Sequence, residues 1–170
     1  MDLKSFIRDV PDFPKEGILF KDITLLLQDP RALEETARAL TKMVGGQVID
    51  KVVGMESRGF IFGPLLAYHL NAGFVPIRKP GKLPSKTLSE TYQLEYGTDM
   101  LEIHVDGIEK GDMVLVHDDV LATGGTAQAA CKLVERLGGE IVQCNFLIEL
   151  NFLKGREKIS AYNCQSLFQY

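Results

Sequence analysis

Cysteine is scarce in this chain, no long apolar run occurs, and neither sign of charge prevails. Cys131, Cys144 and Cys164 are widely spaced and form no C-x-x-C pair, which argues against both a disulfide framework and a zinc site. They read instead as small core residues, and a reducing cytoplasm is the expected setting. The apolar stretch at residues 61–70 is broken by Gly63, Pro64 and His69 and falls short of the roughly 20 residues a spanning helix needs, so no membrane partner is expected. Met1-Asp2-Leu3-Lys4-Ser5 lacks a charged-then-apolar leader, and secretion is not expected either. Nineteen Lys and Arg are scattered among 23 Asp and Glu, a net charge of −4, which argues against nucleic acid as a partner. His69, His104 and His117 have no metal-ligand spacing and read as structural. Two common nucleotide-phosphate motifs are missing as well: no loop ends in Gly-Lys-Ser or Gly-Lys-Thr, and no G-x-G-x-x-G string occurs.

What remains is a chain of 170 residues, 45% hydrophobic and 25% charged, long enough for one domain over residues 1–170 with a sizeable core. Its elements alternate in the manner of an α/β fold, with a central, mostly parallel sheet flanked by helices. Helices are predicted at residues 3–8, 30–44, 59–70, 124–137 and briefly at 154–158. In the second, Leu33, Ala37, Leu40 and Val44 form one stripe, with Asp29-Pro30 as start signal and Gly45-Gly46 as stop. In the fourth, Ala127, Ala130, Cys131, Val134 and Leu137 make the buried face. Strands are predicted at residues 51–55, 74–78, 113–116 and 141–150, a half-exposed antiparallel strand at 101–105, and a last apolar segment near 166–168. Residues 80–97 turn polar and punctuated, with Gly81, Pro84, Ser85 and Ser89, and read as a long loop.

The most informative string is V-L-V-H-D-D-V-L-A-T-G-G-T at residues 114–126. An apolar strand leads to Asp118 and Asp119, and a turn of small residues, Ala122, Thr123, Gly124, Gly125 and Thr126, opens into a helix. The first amides of a helix have no intrahelical partner and its macrodipole is positive there, so such a turn holds a phosphate without a lysine. The glycines admit close approach, and the threonine hydroxyls add donors. Two carboxylates would repel a bare phosphate, yet they suit a vicinal diol or the outer shell of Mg²⁺. The implied ligand is a phosphorylated ribose.

Other strand ends add charge to the same edge of the sheet, where ligands of parallel sheets bind. Glu56-Ser57-Arg58-Gly59-Phe60 lies between a strand and a helix, and its amides with the Arg58 guanidinium suit a second anion. Arg78 and Lys79 follow the next strand, and with Lys82 they offset the charge of a pyrophosphate. Glu149 and Leu150 end a fourth strand.

The string at 114–126 resembles the ribose-phosphate signature of the type I phosphoribosyltransferases, which bind 5-phosphoribosyl-1-pyrophosphate (PRPP). With F-P-K-E-G-I-L-F-K-D-I at residues 13–23, E-S-R-G-F at 56–60 and Y-Q-L-E-Y-G at 92–97, the chain resembles the adenine phosphoribosyltransferase family from about Phe6 to Gly155. The resemblance implies a purine-salvage reaction in which adenine and PRPP give AMP and pyrophosphate, with Mg²⁺ as cofactor. It implies that residues 122–126 hold the 5′-phosphate and Asp118 and Asp119 the ribose hydroxyls. Glu56, Ser57 and Arg58, with Arg78, Lys79 and Lys82, would meet the pyrophosphate. Leu19, Phe20 and Lys21, in a hood spanning about residues 1–30, would receive adenine, and Leu150 would close its other face. Lys21 stands where the family commonly has Arg, and His117 where an apolar residue is usual; His117 is expected to tune packing. Glu95 is assigned to proton handling, flanked by Tyr92 and Tyr96 on a lid at about residues 80–97. Mg²⁺ would arrive mainly with the substrate, assisted by Asp118 or Asp119, and a homodimer is expected.

Two rival readings are set against this one. A phosphoribosyltransferase for hypoxanthine, guanine or xanthine would want a donor such as Lys for the 6-oxo group, whereas a backbone carbonyl suits the 6-amino group of adenine. A PRPP-sensing regulator would want a basic face or a DNA-binding domain, and the sequence offers neither.

Overall fold

The computed structural model describes residues 1–94 and 97–170. By compactness the chain divides into Met1–Ala39 and Leu40–Tyr170.

In the first unit the predicted helix at 3–8 shrinks to a single 3₁₀ turn, Leu3–Phe6, whose N-cap Asp2 accepts the Lys4 amide at 3.1 Å. The chain then extends into an unpredicted hairpin of β1 (Arg8–Pro11) and β2 (Leu19–Asp22). Its register sets Arg8 opposite Asp22 and Asp9 opposite Lys21, and both pairs close as ion pairs at 2.5 Å. Opposite charges facing each other across antiparallel strands stabilise the pairing, which outweighs the weak helical signal of residues 3–8. A short helix α1 (Thr24–Gln28) follows, also unpredicted. Helix α2 (Pro30–Lys42) begins where Asp29-Pro30 predicts, since Asp29 accepts the amides of Arg31 and Ala32, both at 2.9 Å. On its stripe Ala37 and Leu40 are fully buried, as is Val44 just past its end.

The second unit holds a five-stranded sheet in the order β4-β3-β7-β8-β9, with every neighbouring pair parallel. These strands are β3 (Lys51–Met55), β4 (Gly73–Ile77), β7 (Met113–Leu121), β8 (Glu140–Glu149) and β9 (Cys164–Gln169). Helix α3 (Gly59–Leu70) connects β3 to β4, α4 (Gly125–Arg136) connects β7 to β8, and the short α5 (Gly155–Lys158) precedes β9. Between β4 and β7 runs a separate antiparallel ribbon of β5 (Thr87–Gln93) and β6 (Thr98–His104).

Two predictions need correction. Residues 80–97 are not one long loop, because Thr87–Gln93 pairs residue for residue with Thr98–His104. Leu88 and Tyr92 alternate inward with the half-buried Glu90, a period of two hidden by the polar residues between them. The central strand does not stop at Val116 either. Its pairing with β8 continues through Asp118 opposite Phe146 to Leu121 opposite Glu149, so both carboxylates sit inside β7. The core lies where α4 meets the sheet, with Ala127, Ala130, Cys131, Leu133 and Val134 packed among Val114, Val116, Cys144 and Phe146. Burying each larger aliphatic side chain there contributes roughly 1.5–3 kcal/mol.

Candidate active site

The carboxyl ends of β3, β4 and β7 open into one cavity of about 270 Å³. Glu56, Ser57 and Arg58 line it from the turn after β3, Lys79 from the end of β4, and Asp118 and Asp119 from β7. Tyr92 and Leu101 from the ribbon, Val120 from β7, and Ala122 and Thr126 from the small-residue turn complete the wall. A second cavity of about 70 Å³ lies against the turn itself, lined by Ala122, Thr123, Gly124 and Thr126 together with Asp118.

The cations at these strand ends are held by carboxylates. Arg58 Nε lies 2.8 Å from Asp119 Oδ2, so the guanidinium assigned to an anion is paired with the buried member of the Asp couple. Glu56 does not reach out as an anion-site residue would; it accepts the Lys79 amide and the Arg78 Nε–H, both at 2.8 Å. Its partial burial opposes ionisation, but the Lys79 amide and Arg78 outweigh that and hold its carboxyl below the usual range. The Glu56–Ser57 peptide bond is cis. Lys79 donates to the carboxylate of Asp99 and, at 2.9 Å, to the hydroxyl of Tyr92. Lys82 is exposed and outside the cavity wall; its carbonyl accepts from Arg78 Nη1 at 3.3 Å.

Asp118 accepts the Asp119 amide at 2.9 Å. Burial, followed by the neighbouring charge of Asp119, pushes the Asp118 carboxyl well above the usual range, and burial raises Asp119 despite Arg58. With Arg58 as the cation paired to Asp119, two adjacent carboxylates remain costly to ionise together.

Beside them His117 is fully buried and belongs to a chain of polar groups. Its Nδ1 lies 3.1 Å from Asn145 Oδ1, while Asn145 Nδ2 donates to Leu40 O at 3.1 Å and Gln143 Oε1 at 3.2 Å. That orientation makes Nδ1 the donor and leaves Nε2 without a proton. Burial drives its pKa down to about 4, so the imidazole is neutral at pH 7.

The small-residue turn is built by close backbone packing. Gly124 adopts φ +80°, and a Cβ there would stand 2.3 Å from the carbonyl oxygen of Gly155. A Cβ on Gly155 would stand 2.2 Å from the carbonyl oxygen of Ala122. Gly155 is thus a second wall of the turn, and it is held by its neighbour. Arg156 Nε donates to Glu149 Oε1 at 2.8 Å, Nη1 donates to Cys164 O at 2.6 Å, and the Ser166 hydroxyl donates to Glu149 Oε2 at 2.6 Å. Sequence reasoning missed Gly155 and Arg156; the one local signal is the Lys154-Gly155 turn, where Lys154 takes φ +54°. On the other side, a Cβ on Gly125 would stand 3.2 Å from both Gln93 O and the Tyr92 ring, so the end of β5 rests on the start of α4.

Of the remaining predicted residues, Leu150 is half-buried just beyond β8, with its amide donating to Leu121 O at 3.0 Å. Leu19, Phe20 and Lys21 all lie on β2, where Phe20 meets Phe13 edge to face at 5.1 Å and Lys21 is tied to Asp9. Glu95 and Tyr96 lie outside the described residues.

With its parallel sheet, and with an acidic pair followed by a glycine turn at the end of the central strand, the chain matches the phosphoribosyl transferase domain over residues 23–168, which sets it among the phosphoribosyltransferases. The chain is 64% identical over 162 residues to the adenine phosphoribosyltransferase of Flavobacterium johnsoniae, covering 95% of both. It superposes on the crystal structure of that enzyme from Rhodothermus marinus with a TM-score of 0.94 and 58% identity, covering 99% of this chain and 96% of the other. The Saccharomyces cerevisiae enzyme, crystallised with an imino-altritol bisphosphate and adenine, matches with a TM-score of 0.92 and 44% identity, over 98% of this chain and 96% of the other. The chain belongs to the adenine phosphoribosyltransferase family.

Proposed function

We propose that this enzyme transfers the 5-phosphoribosyl group of PRPP to adenine, forming AMP and releasing pyrophosphate. The observation that supports the assignment of residues is the 270 Å³ cavity in which the Asp118–Asp119 pair, the Glu56–Arg58 turn and the two residues flanking the glycine turn, Ala122 and Thr126, meet. In this reading residues 122–126 hold the 5′-phosphate, with the first amides of α4 as donors. Asp118 and Asp119 accept the ribose hydroxyls, whose hydrogen bonds favour the ionised carboxylates. Arg58 and Lys79 meet the pyrophosphate, and Glu56 holds Arg78 and the Lys79 backbone in place. Adenine falls to Leu19, Phe20, Lys21 and Leu150, with Phe20 stacking on the ring.

In the reaction the bond from C1 to the pyrophosphate oxygen breaks, the sugar becomes oxocarbenium-like, and an imidazole nitrogen of adenine bonds to C1 and loses its proton. Glu95 is assigned both to that proton and to the sugar's positive charge. Residues 80–97, which include Tyr92 and Tyr96, serve as the lid, keeping water from the activated sugar.

The donor set is compatible with Mg²⁺, for adjacent carboxylate oxygens are hard ligands. Among the described residues no group of three or more His, Cys, Asp and Glu is placed to hold a metal alone, so the ion would share Asp118 or Asp119 with substrate oxygens and water. When bound it would neutralise charge on the departing pyrophosphate. Residues 1–170 are read as one catalytic domain working in a cytoplasmic homodimer; no helix among the described residues is long and apolar enough to cross a membrane.

Assays of PRPP with adenine, hypoxanthine and guanine in parallel test the base assignment. Turnover is expected with adenine, and preference for a 6-oxopurine would overturn the reading.

A further inference from the structure

The cations at the strand ends differ in how firmly they are held. Arg58 is paired with Asp119, and Arg78 with Glu56, carboxylates whose side chains are only 6% and 13% exposed. Both carboxylates also lie on the sheet or the turn that follows it. The partner of Lys79 is different. Asp99 sits on β6 of the separate ribbon, its side chain is 32% exposed, and it reaches Lys79 together with the Tyr92 hydroxyl, which lies 3.2 Å from Asp99 Oδ2. Its other oxygen accepts the Met100 amide at 2.8 Å. An ion pair this open to water is weak, and several charges on one ligand compete well against one carboxylate.

We propose that Asp99 is a placeholder for pyrophosphate: it holds the Lys79 ammonium in the empty enzyme and yields it when PRPP enters. Asp99 is then a positioning residue that lowers PRPP affinity in exchange for keeping Lys79 pointed into the cavity. The same exchange loosens the ribbon, because Asp99 and the Tyr92 hydroxyl both lose the Lys79 ammonium that ties them to the end of β4. The inference rests on the assignment of Lys79 to the pyrophosphate.

The test compares wild type, Asp99→Asn, Asp99→Glu, Lys79→Met and the double variant Lys79→Met/Asp99→Asn, with calorimetric affinity for PRPP and for AMP and with steady-state kinetics. Asp99→Asn removes the competitor and is expected to tighten PRPP binding about fivefold, in KM rather than kcat, the scale of an exposed ion pair. Asp99→Glu should behave as wild type. The gain should vanish in the Lys79→Met background, and AMP, which has no pyrophosphate, should bind all variants alike. A damaged fold would weaken binding, so the sign separates the two causes. Unchanged or weaker PRPP binding by Asp99→Asn, or an equal change for AMP, overturns the placeholder. Wild-type PRPP affinity in Lys79→Met would instead remove the assignment of Lys79, and the placeholder with it.

Discussion

At the residue scale the chemistry turns on protons and charges held out of water. Glu95 is assigned to a proton and a cation that exist only during the transfer, so Glu95→Gln should lower kcat by about 10²-fold or more while PRPP affinity holds. A steady-state assay with unchanged kcat would remove the role. His117 makes a prediction about stability. Its pKa in the fold is depressed to about 4 by burial, so its contribution is complete above the unfolded value near 6.5 and is lost as pH falls toward 4. Between pH 7 and pH 5 that loss is roughly 2 kcal/mol. Asp118 and Asp119 are shifted upward and act in the opposite sense, favouring the fold as they protonate. Urea unfolding of wild type and His117→Gln at the two pH values separates the contributions: the variant should lack this loss. Equal acid sensitivity would mean that His117 is not the titrating group.

At the scale of elements, what the sequence made legible was local. The apolar face of α4, the Asp29 cap of α2 and the turn into helix at residues 122–126 are each set by residues a few positions apart and formed where expected, whereas the strand before that turn runs five residues further than its apolar run. The hairpin of β1 and β2 depends on charges paired across the strands, Arg8 with Asp22 and Asp9 with Lys21, which a period-based reading does not register. The ribbon strand β5 hides its alternation behind Thr, Ser and Glu. The support of the glycine turn was least legible, since Gly155 lies about thirty residues from Gly124 in sequence and meets it only in three dimensions. Gly155→Ala should push the Ala122 carbonyl out of place and weaken AMP binding about tenfold or more, the range of local overpacking, while leaving adenosine binding nearly unchanged. Calorimetry with both ligands checks this. Wild-type AMP affinity would show that the turn does not lean on Gly155, and equal losses for both ligands would place the damage outside the phosphate site.

For the molecule as a whole, the charges at the mouth of the sheet matter as a sum. Arg58, Arg78 and Lys79 face Asp119, Glu56 and Asp99, so the positive ends of the pocket are already neutralised before substrate arrives. The chain carries a net charge of −4 besides. An incoming polyanion therefore meets no long-range attraction and must make its contacts after encounter, by exchange at short range. Stopped-flow measurements should show a PRPP association rate that changes less than about twofold between 50 and 300 mM salt, with the dependence on ionic strength confined to dissociation. A steep fall of the association rate with salt would reveal electrostatic guidance that these matched pairs deny. An entrance that stays neutral in this way also draws in few of the other phosphorylated metabolites that share the solution, leaving selection to the grip that follows.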